Sequence, residues 1–149
     1  NGQALGLTGF GASGHLVLQM ANHLYPDSPV HVFARAAAER EFALGLGAAW
    51  AGATRDRPAD RLDAIIDTTP AWLPVLAAMD ALAPGGRLVI NAIRKEDGDK
   101  EALLGICYHE HLWLEREIKS VANITARDYS PQSSGADFEV GGITRPTPA

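Results

Sequence analysis

The chain has 149 residues, 46% hydrophobic and 21% charged, with a formal net charge of -5. This is the length and composition of one globular domain, and it excludes a disordered chain, a coiled coil and a collagen-like repeat. The sequence has no stripe of basic residues that could bind the phosphate backbone of a nucleic acid. A single cysteine excludes a disulfide framework and a multi-cysteine zinc site. No apolar run reaches the ~20 residues that a membrane span requires. We therefore expect a cytoplasmic protein that binds neither nucleic acid nor membrane.

The two ends of the sequence differ from its middle. The chain begins with Asn1 instead of methionine and enters an apolar segment almost at once, so we expect a piece excised from a longer protein. Residues 130–149 carry three Pro, three Gly and three Ser without a helical or alternating period. We therefore predict one domain over residues 1–128, followed by a disordered or atypical tail over residues 129–149.

Short apolar runs alternate with longer amphipathic segments along the middle of the chain. The runs predict strands over residues 4–8, 30–33, 48–52, 62–67, 87–93 and 118–124. Apolar residues at helical spacing predict helices over residues 16–25, 36–46 and 72–82. This alternation predicts an α/β fold: a Rossmann-type doubly wound parallel sheet in three α/β/α layers, with about six strands in the order 3-2-1-4-5-6.

A glycine motif of the form G-x-G-x-x-G lies between the first strand and the first helix. Gly9 allows a tight turn off the strand, Gly11 lets the backbone approach a pyrophosphate, and Gly14 lets the helix pack close to the sheet. The N–H groups of Ala12, Ser13 and Gly14 would then point at the phosphates, where the helix dipole favours negative charge. The motif in this setting predicts a dinucleotide-binding loop; a glycine-rich turn that binds nothing is the alternative.

The end of the second strand commonly selects the cofactor. An acidic residue there binds the ribose hydroxyls of NAD, whereas an arginine accommodates the 2′-phosphate of NADP. Here the strand runs into Arg35, and Arg40 follows about one helical turn further on. Arginine pairs with phosphate in a bidentate manner, so these residues favour NADP over NAD. Alternatively, both are solvated charges that Glu39 and Glu41 neutralise.

Several segments carry a resemblance to a known family. Besides the glycine loop they are, in chain order, ALGLGA at residues 43–48, LDAIIDT at 62–68, LAPGGRLV at 82–89 and EIKSV at 117–121. In this order and spacing the sequence resembles the cofactor-binding half of the zinc-dependent medium-chain alcohol dehydrogenase and quinone reductase superfamily. The resemblance covers residues 5–128.

The resemblance implies an oxidoreductase in which one domain binds NADP or, alternatively, NAD. A zinc ion in a second domain polarises the oxygen of a small alcohol, aldehyde or ketone, and a hydride passes between that substrate and the nicotinamide. The superfamily's zinc ligands precede the first residue of this chain, so zinc is expected only in that missing catalytic domain. The isolated chain is expected to bind the cofactor without turnover, and none of its residues is assigned a catalytic or metal-binding role.

The resemblance also implies which further residues lie near the cofactor. Thr68, Thr69 and Pro70, after the fourth strand, would approach the nicotinamide ribose. Backbone groups at the ends of the fifth and sixth strands would face the nicotinamide and its carboxamide, at Ile90, Asn91, Val121 and Asn123. All of these positions follow the carboxyl ends of strands, where open α/β sheets bind ligands. For residues 68–70, a helix N-cap followed by proline is the alternative.

Three further interpretations remain open from the sequence. His109 and His111 would share one face of a strand and could begin a metal site, although no third ligand is evident. The alternative function is a non-catalytic nucleotide-sensing module or a methyltransferase using S-adenosylmethionine; the latter needs a carboxylate at the end of the first strand, which this sequence lacks. A homodimer could form through the sixth strand at the edge of the sheet.

Overall fold

The computed structural model describes residues 2–122, 138–140 and 143–145. Its strands and helices are β1 (Leu5–Thr8), α1 (Ala12–Leu24), β2 (Val30–Phe33), α2 (Ala37–Gly45), β3 (Trp50–Gly52), β4 (Leu62–Asp67), α3 (Leu73–Ala81), β5 (Leu82–Ile90), β6 (Glu117–Ser120), β7 (Phe138–Val140) and β8 (Ile143–Arg145). A 3₁₀ turn over Lys100–Gly105 and a π-helical turn over Tyr108–Leu112 connect β5 to β6.

Six strands form one parallel sheet in the order β3-β2-β1-β4-β5-β6, which confirms the predicted Rossmann-type topology. The strand register aligns their carboxyl ends. Thr8 is level with Phe33 of β2 and with Asp67 of β4. Asp67 is level with Ile90 of β5, which in turn is level with Ser120 of β6. The residues that follow these strands therefore lie along a single edge of the sheet.

Both faces of the sheet are covered, as expected for buried parallel strands. Val32 and Ile66 belong to a core cluster that includes residues of α1 and α2. Their neighbours Phe33 and Ile65 belong to a second cluster, which includes residues of α3. Successive side chains of a strand point to opposite faces, so the two clusters lie on opposite sides of the sheet and give the predicted three layers.

The fifth strand begins earlier than predicted, at Leu82 instead of Arg87. Leu82 pairs with Leu62 of β4, whereas the next pair joins Arg87 to Ala64. Residues 83–86, which contain the sequence Pro-Gly-Gly, therefore form an irregular segment between two paired parts of one strand.

Two other predicted strands are shorter than expected. β3 begins at Trp50 instead of Ala48, and β6 ends at Ser120. The predicted continuation over residues 123–124 lies outside the described residues. In the tail, β7 and β8 pair as a short antiparallel two-stranded sheet that the sequence did not predict. No helix within the described ranges is long and apolar enough to cross a membrane.

Candidate functional site

The glycine loop between β1 and α1 has a different spatial requirement at each of its glycines. Gly9 has a φ of 81°, which side-chain-bearing residues rarely adopt. A Cβ on Gly14 would lie 2.6 Å from the carbonyl oxygen of Gly9, so the helix can approach the strand only with glycine there. A Cβ on Gly11 would meet nothing within 4 Å. The space beside Gly11 is therefore open, and the loop fits a group that approaches its backbone closely.

The N-terminus of α1 faces this open space without a side-chain cap. The helix begins at Ala12, its N-cap is Gly11, and neither a capping side chain nor an acidic residue lies in its first turn. The first N–H groups of a helix have no intrahelical acceptor, and the dipole makes this end positive. Ala12 and Ser13 are exposed. The chain thus presents N–H donors to an anion, which is the arrangement expected for a dinucleotide phosphate.

The two arginines after β2 occupy different environments. Nη1 of Arg40 donates to the carbonyl oxygens of Ala34 at 2.8 Å and Arg35 at 2.7 Å, so this guanidinium braces the end of the strand. Arg35 itself is exposed, and none of the described residues forms an ion pair with it. Arg35 is consequently the better placed of the two to receive an external phosphate.

The loop after β4 packs against the glycine loop. The Thr68 hydroxyl donates to the Thr8 carbonyl oxygen at 2.9 Å. Thr69 donates to the Asp67 carboxylate through its hydroxyl at 2.8 Å and its backbone N–H at 3.3 Å. Because a Cβ on Gly9 would lie 2.9 Å from the Thr68 hydroxyl oxygen, the two loops are in close contact.

The helix N-cap alternative for residues 68–70 is wrong. The N-cap of α3 is Trp72, and the first helical residue is Leu73, followed by Pro74. The proline at an early helical position is thus Pro74 and not Pro70. The carboxylate of Asp99 accepts the N–H groups of Trp72 at 2.9 Å and Leu73 at 2.8 Å, and these hydrogen bonds lower the pKa of Asp99.

Two of the predicted backbone contacts are already engaged by the sheet. The Asn91 N–H donates to the Asp67 carbonyl oxygen at 2.8 Å, and the Val121 N–H donates to the Ile90 carbonyl oxygen at 3.1 Å. The parallel ladder thus extends one residue beyond β5 and β6, and these two amides are not available to a cofactor. Asn123 lies outside the described residues.

A buried ion pair beside this loop was not predicted from the sequence. The Asp67 side chain is fully buried, and Lys95, whose side chain is 10% exposed, donates to its Oδ2. The Thr8 hydroxyl donates to its Oδ1 at 2.5 Å. A carboxylate at the end of a buried apolar strand requires hydrogen-bond donors, because an unpaired buried charge is costly. The sequence does not reveal which cation lies beside it.

A second cluster of ionisable groups lies near the end of α3. His109 and His111 are in the π-helical turn and not on a strand, and the ligand atoms of Asp80, Glu110 and His111 lie within 4.8 Å of one another. The sequence does not reveal Asp80 as a neighbour of this segment, because it lies 31 residues away from His111. However, Nδ1 of His111 accepts the Cys107 N–H at 2.7 Å, so the neutral ring carries its proton on Nε2, 2.8 Å from Asp80. Neither ring nitrogen has a lone pair available for a metal ion.

No family model matches the chain, but it is similar to a curated protein. Over 127 residues it is 42% identical to the Probable alcohol dehydrogenase AdhA of Mycobacterium tuberculosis (strain CDC 1551 / Oshkosh), covering 85% of this chain and 35% of that protein. The chain is thus similar to an alcohol dehydrogenase over most of its length, in agreement with its resemblance to the medium-chain superfamily. It spans about a third of the length of this curated relative.

Solved structures of two other proteins are similar to this fold. The cinnamyl alcohol dehydrogenase SbCAD4 of Sorghum bicolor is 25% identical, with a TM-score of 0.57 over 80% of this chain and 33% of that one. TarJ of S. aureus, solved in complex with NADPH, is 15% identical, with a TM-score of 0.63 over 79% of this chain and 36% of that one. At that identity, the likeness to TarJ shows the fold alone.

Proposed function

We propose that this chain binds NADP as the cofactor-binding domain of a zinc-type alcohol dehydrogenase-like oxidoreductase. The observation that carries the proposal is the open space beside Gly11, faced by the uncapped N-terminus of α1. A ligand fits there if it has an anionic group that can come close to the backbone. The pyrophosphate of a dinucleotide is such a group. The similarity to a probable alcohol dehydrogenase supports the same ligand class.

The residues at the carboxyl edge of the sheet divide into two halves. For the adenosine half, the N–H groups of Ala12, Ser13 and Gly14 would hold the pyrophosphate, and Arg35 would hold the 2′-phosphate. For the nicotinamide half, the loop of residues 68–70 and the backbone carbonyls after β5 and β6 would define the pocket. When bound, the nicotinamide supplies the hydride chemistry, while this chain binds and orients it.

Calorimetric titration tests the proposal directly. We expect NADPH to bind the chain and to bind more tightly than NADH, since Arg35 has a phosphate to pair with only in NADPH. S-Adenosylmethionine serves as the negative control, because β1 ends in Thr8 and not in a carboxylate. Failure of both nicotinamide nucleotides to bind would refute the proposal, and tighter binding of NADH would refute the role of Arg35.

The substrate class follows from the superfamily as a further part of the proposal. A small alcohol, aldehyde or ketone would react at the nicotinamide, with zinc held by residues outside those matched here. We accordingly propose that the 149 residues bind the cofactor without completing turnover. A non-catalytic sensing module would share the binding behaviour, and oxidation of an alcohol by a protein that contains this domain together with a zinc site would distinguish the enzyme from it.

The edge strand β6 suggests a self-associating surface. All four of its residues are exposed, and within the described part of the chain it pairs only with β5. An unpaired strand edge offers a row of backbone donors and acceptors to a second copy. We propose a homodimer in which the two β6 strands pair across a twofold axis.

A further inference from the structure

We propose that Lys95 is a positioning residue for the nicotinamide half of the cofactor site. Its ammonium bridges the Asp67 carboxylate to the carbonyl oxygens of Thr69 and Ala71, at 2.7 and 2.8 Å, and thereby fixes the loop of residues 68–72. This inference rests on the proposed function, because that loop is the part of the site assigned to the nicotinamide ribose.

The contacts of Lys95 explain why it acts on the loop and not on a ligand. An ammonium has three N–H donors, and here each has an acceptor within the chain. The stem of the side chain carries the ammonium over the Trp72 ring, 5.7 Å from its centroid, and the side chain is 10% exposed. No donor is left for a phosphate, so Lys95 cannot serve as a second anion ligand.

The same segment holds the loop at two other points. The Glu96 N–H donates to the Pro70 carbonyl oxygen at 2.7 Å, and the Asp99 carboxylate accepts the N–H groups of Trp72 and Leu73. The Lys95–Asp99 segment is therefore docked along the whole 68–72 loop. Of these contacts, only those of Lys95 also reach the strand end, where Asp67 meets Thr8.

The Asp67 carboxylate links this docking to the glycine loop. One of its oxygens accepts the hydroxyls of Thr8 and Thr69, while the other accepts Lys95. Thr8 is the last residue of β1, directly before Gly9. Without the ammonium, a fully buried carboxylate would lose its cation and two loop carbonyls would lose their donor. The loop would then occupy its binding geometry in only a fraction of molecules, which weakens the apparent affinity by that fraction.

Two ligands separate positioning from general stability. NADPH engages both halves of the proposed site, whereas adenosine 2′,5′-bisphosphate lacks the nicotinamide riboside and engages only the adenosine half. For Lys95→Met we expect the Kd of NADPH to rise at least tenfold and that of adenosine 2′,5′-bisphosphate to stay within about twofold. Calorimetry is performed well below the unfolding temperature, with circular dichroism as the check that each variant is folded.

Asp67→Asn/Lys95→Met keeps the test independent of folding. The double variant carries no buried charge at this point, so its unfolding temperature should return toward that of the wild type. It still lacks the bridge, so the selective loss of NADPH affinity should remain. Lys100→Met is the matched control, because it removes an exposed lysine of the same region and should change neither affinity.

The other possible results contradict either the role of Lys95 or the proposed binding of NADP. Wild-type NADPH affinity in either Lys95 variant overturns the role of Lys95. An equal loss of both ligands also overturns it, because the effect would then be a general one. A wild-type chain that binds neither ligand instead contradicts the proposed function, and the role of Lys95 falls with it.

Discussion

At the scale of single residues, the glycine loop separates the requirements of folding from those of binding. Gly14 is needed for packing, since a Cβ there would press on the Gly9 carbonyl oxygen. Gly11 has no such neighbour, and its φ of -82° is open to any residue. Packing therefore does not require glycine at position 11, which agrees with the proposed approach of a ligand to its backbone.

Gly11→Ala should accordingly weaken binding without weakening the fold. We expect the free energy of unfolding to change by at most about 0.5 kcal/mol and the Kd of NADPH to rise at least tenfold. Urea unfolding and calorimetry measure the two quantities. Gly45→Ala is the control, because its Cβ would also enter open space, at the end of α2. Unchanged NADPH affinity in Gly11→Ala would contradict the assignment of the loop.

In the proposed site, Arg35 sets the preference between NADPH and NADH. Arg35→Ala should raise the Kd of NADPH roughly tenfold or more and leave that of NADH nearly unchanged, since a charge-assisted pair is worth about 1.5–3 kcal/mol. Parallel titrations with the two nucleotides measure the ratio. Arg57→Ala removes an arginine that pairs with Asp80 near the end of α3, and it should alter neither affinity. Equal losses for both nucleotides would count against a 2′-phosphate contact.

At the scale of elements, the sequence predicts the strands, the helices and the glycine motif, but it does not predict the contacts between segments that are distant in the chain. Strand and helix periodicity and the glycine motif lie within short windows, and those elements form close to where they are predicted. The pairing of Lys95 with Asp67 spans 28 residues, and the capping of α3 by Asp99 spans a similar distance. Periodicity carries no information about such contacts, because they depend on how two loops meet in space.

Asp99 gives the element-scale prediction, because its carboxylate caps α3 from outside the helix. Its pKa lies below the ordinary 3.8, so its stabilising contribution is complete above that value and is lost as the pH falls through the lowered pKa. Asp99→Asn should reduce the free energy of unfolding by roughly 1 kcal/mol at neutral pH, with a shrinking difference in strong acid. Urea unfolding across this pH range measures it.

Asp97→Asn provides the comparison for that experiment. Asp97 lies in the same segment and is exposed, and its side chain approaches Lys100 at 3.6 Å without capping a helix. Exposed pairs of this kind contribute little, so the variant should unfold like the wild type at every pH. A constant difference between Asp99→Asn and the wild type down to the lowest pH would argue against the charged cap.

At the scale of the whole molecule, the aligned carboxyl ends of the strands bring distant sequence segments to one edge. The strand order follows from the alternation of elements and was predicted, whereas the irregular segment in β5 and the two-stranded sheet of the tail were not. A Pro-Gly-Gly sequence reads as a chain reversal, and only the register with β4 shows that the strand resumes after it. The sequence thus predicts where the candidate site lies, but it predicts few of the hydrogen bonds and ion pairs around it.

The proposed homodimer pairs the exposed edge strands β6 of two copies of the chain. The Val121 N–H points toward β5, so by alternation the Ser120 N–H points away from the sheet. Ser120→Pro removes this outward donor and should convert a dimer to a monomer, whereas Ser120→Ala should not. Analytical ultracentrifugation distinguishes the two states. A wild-type chain that is monomeric, or a Ser120→Pro variant that still dimerises, would contradict pairing through β6.

In the proposed function, the glycine loop and the end of β2 hold the phosphates of NADP. An NMR titration of the ¹⁵N-labelled chain with NADPH tests it residue by residue. We expect the amide signals of Ala12, Ser13, Gly14 and Arg35 to shift most, and the amide signals around His111 to stay unchanged. Loop amides that do not move at saturating NADPH would contradict it.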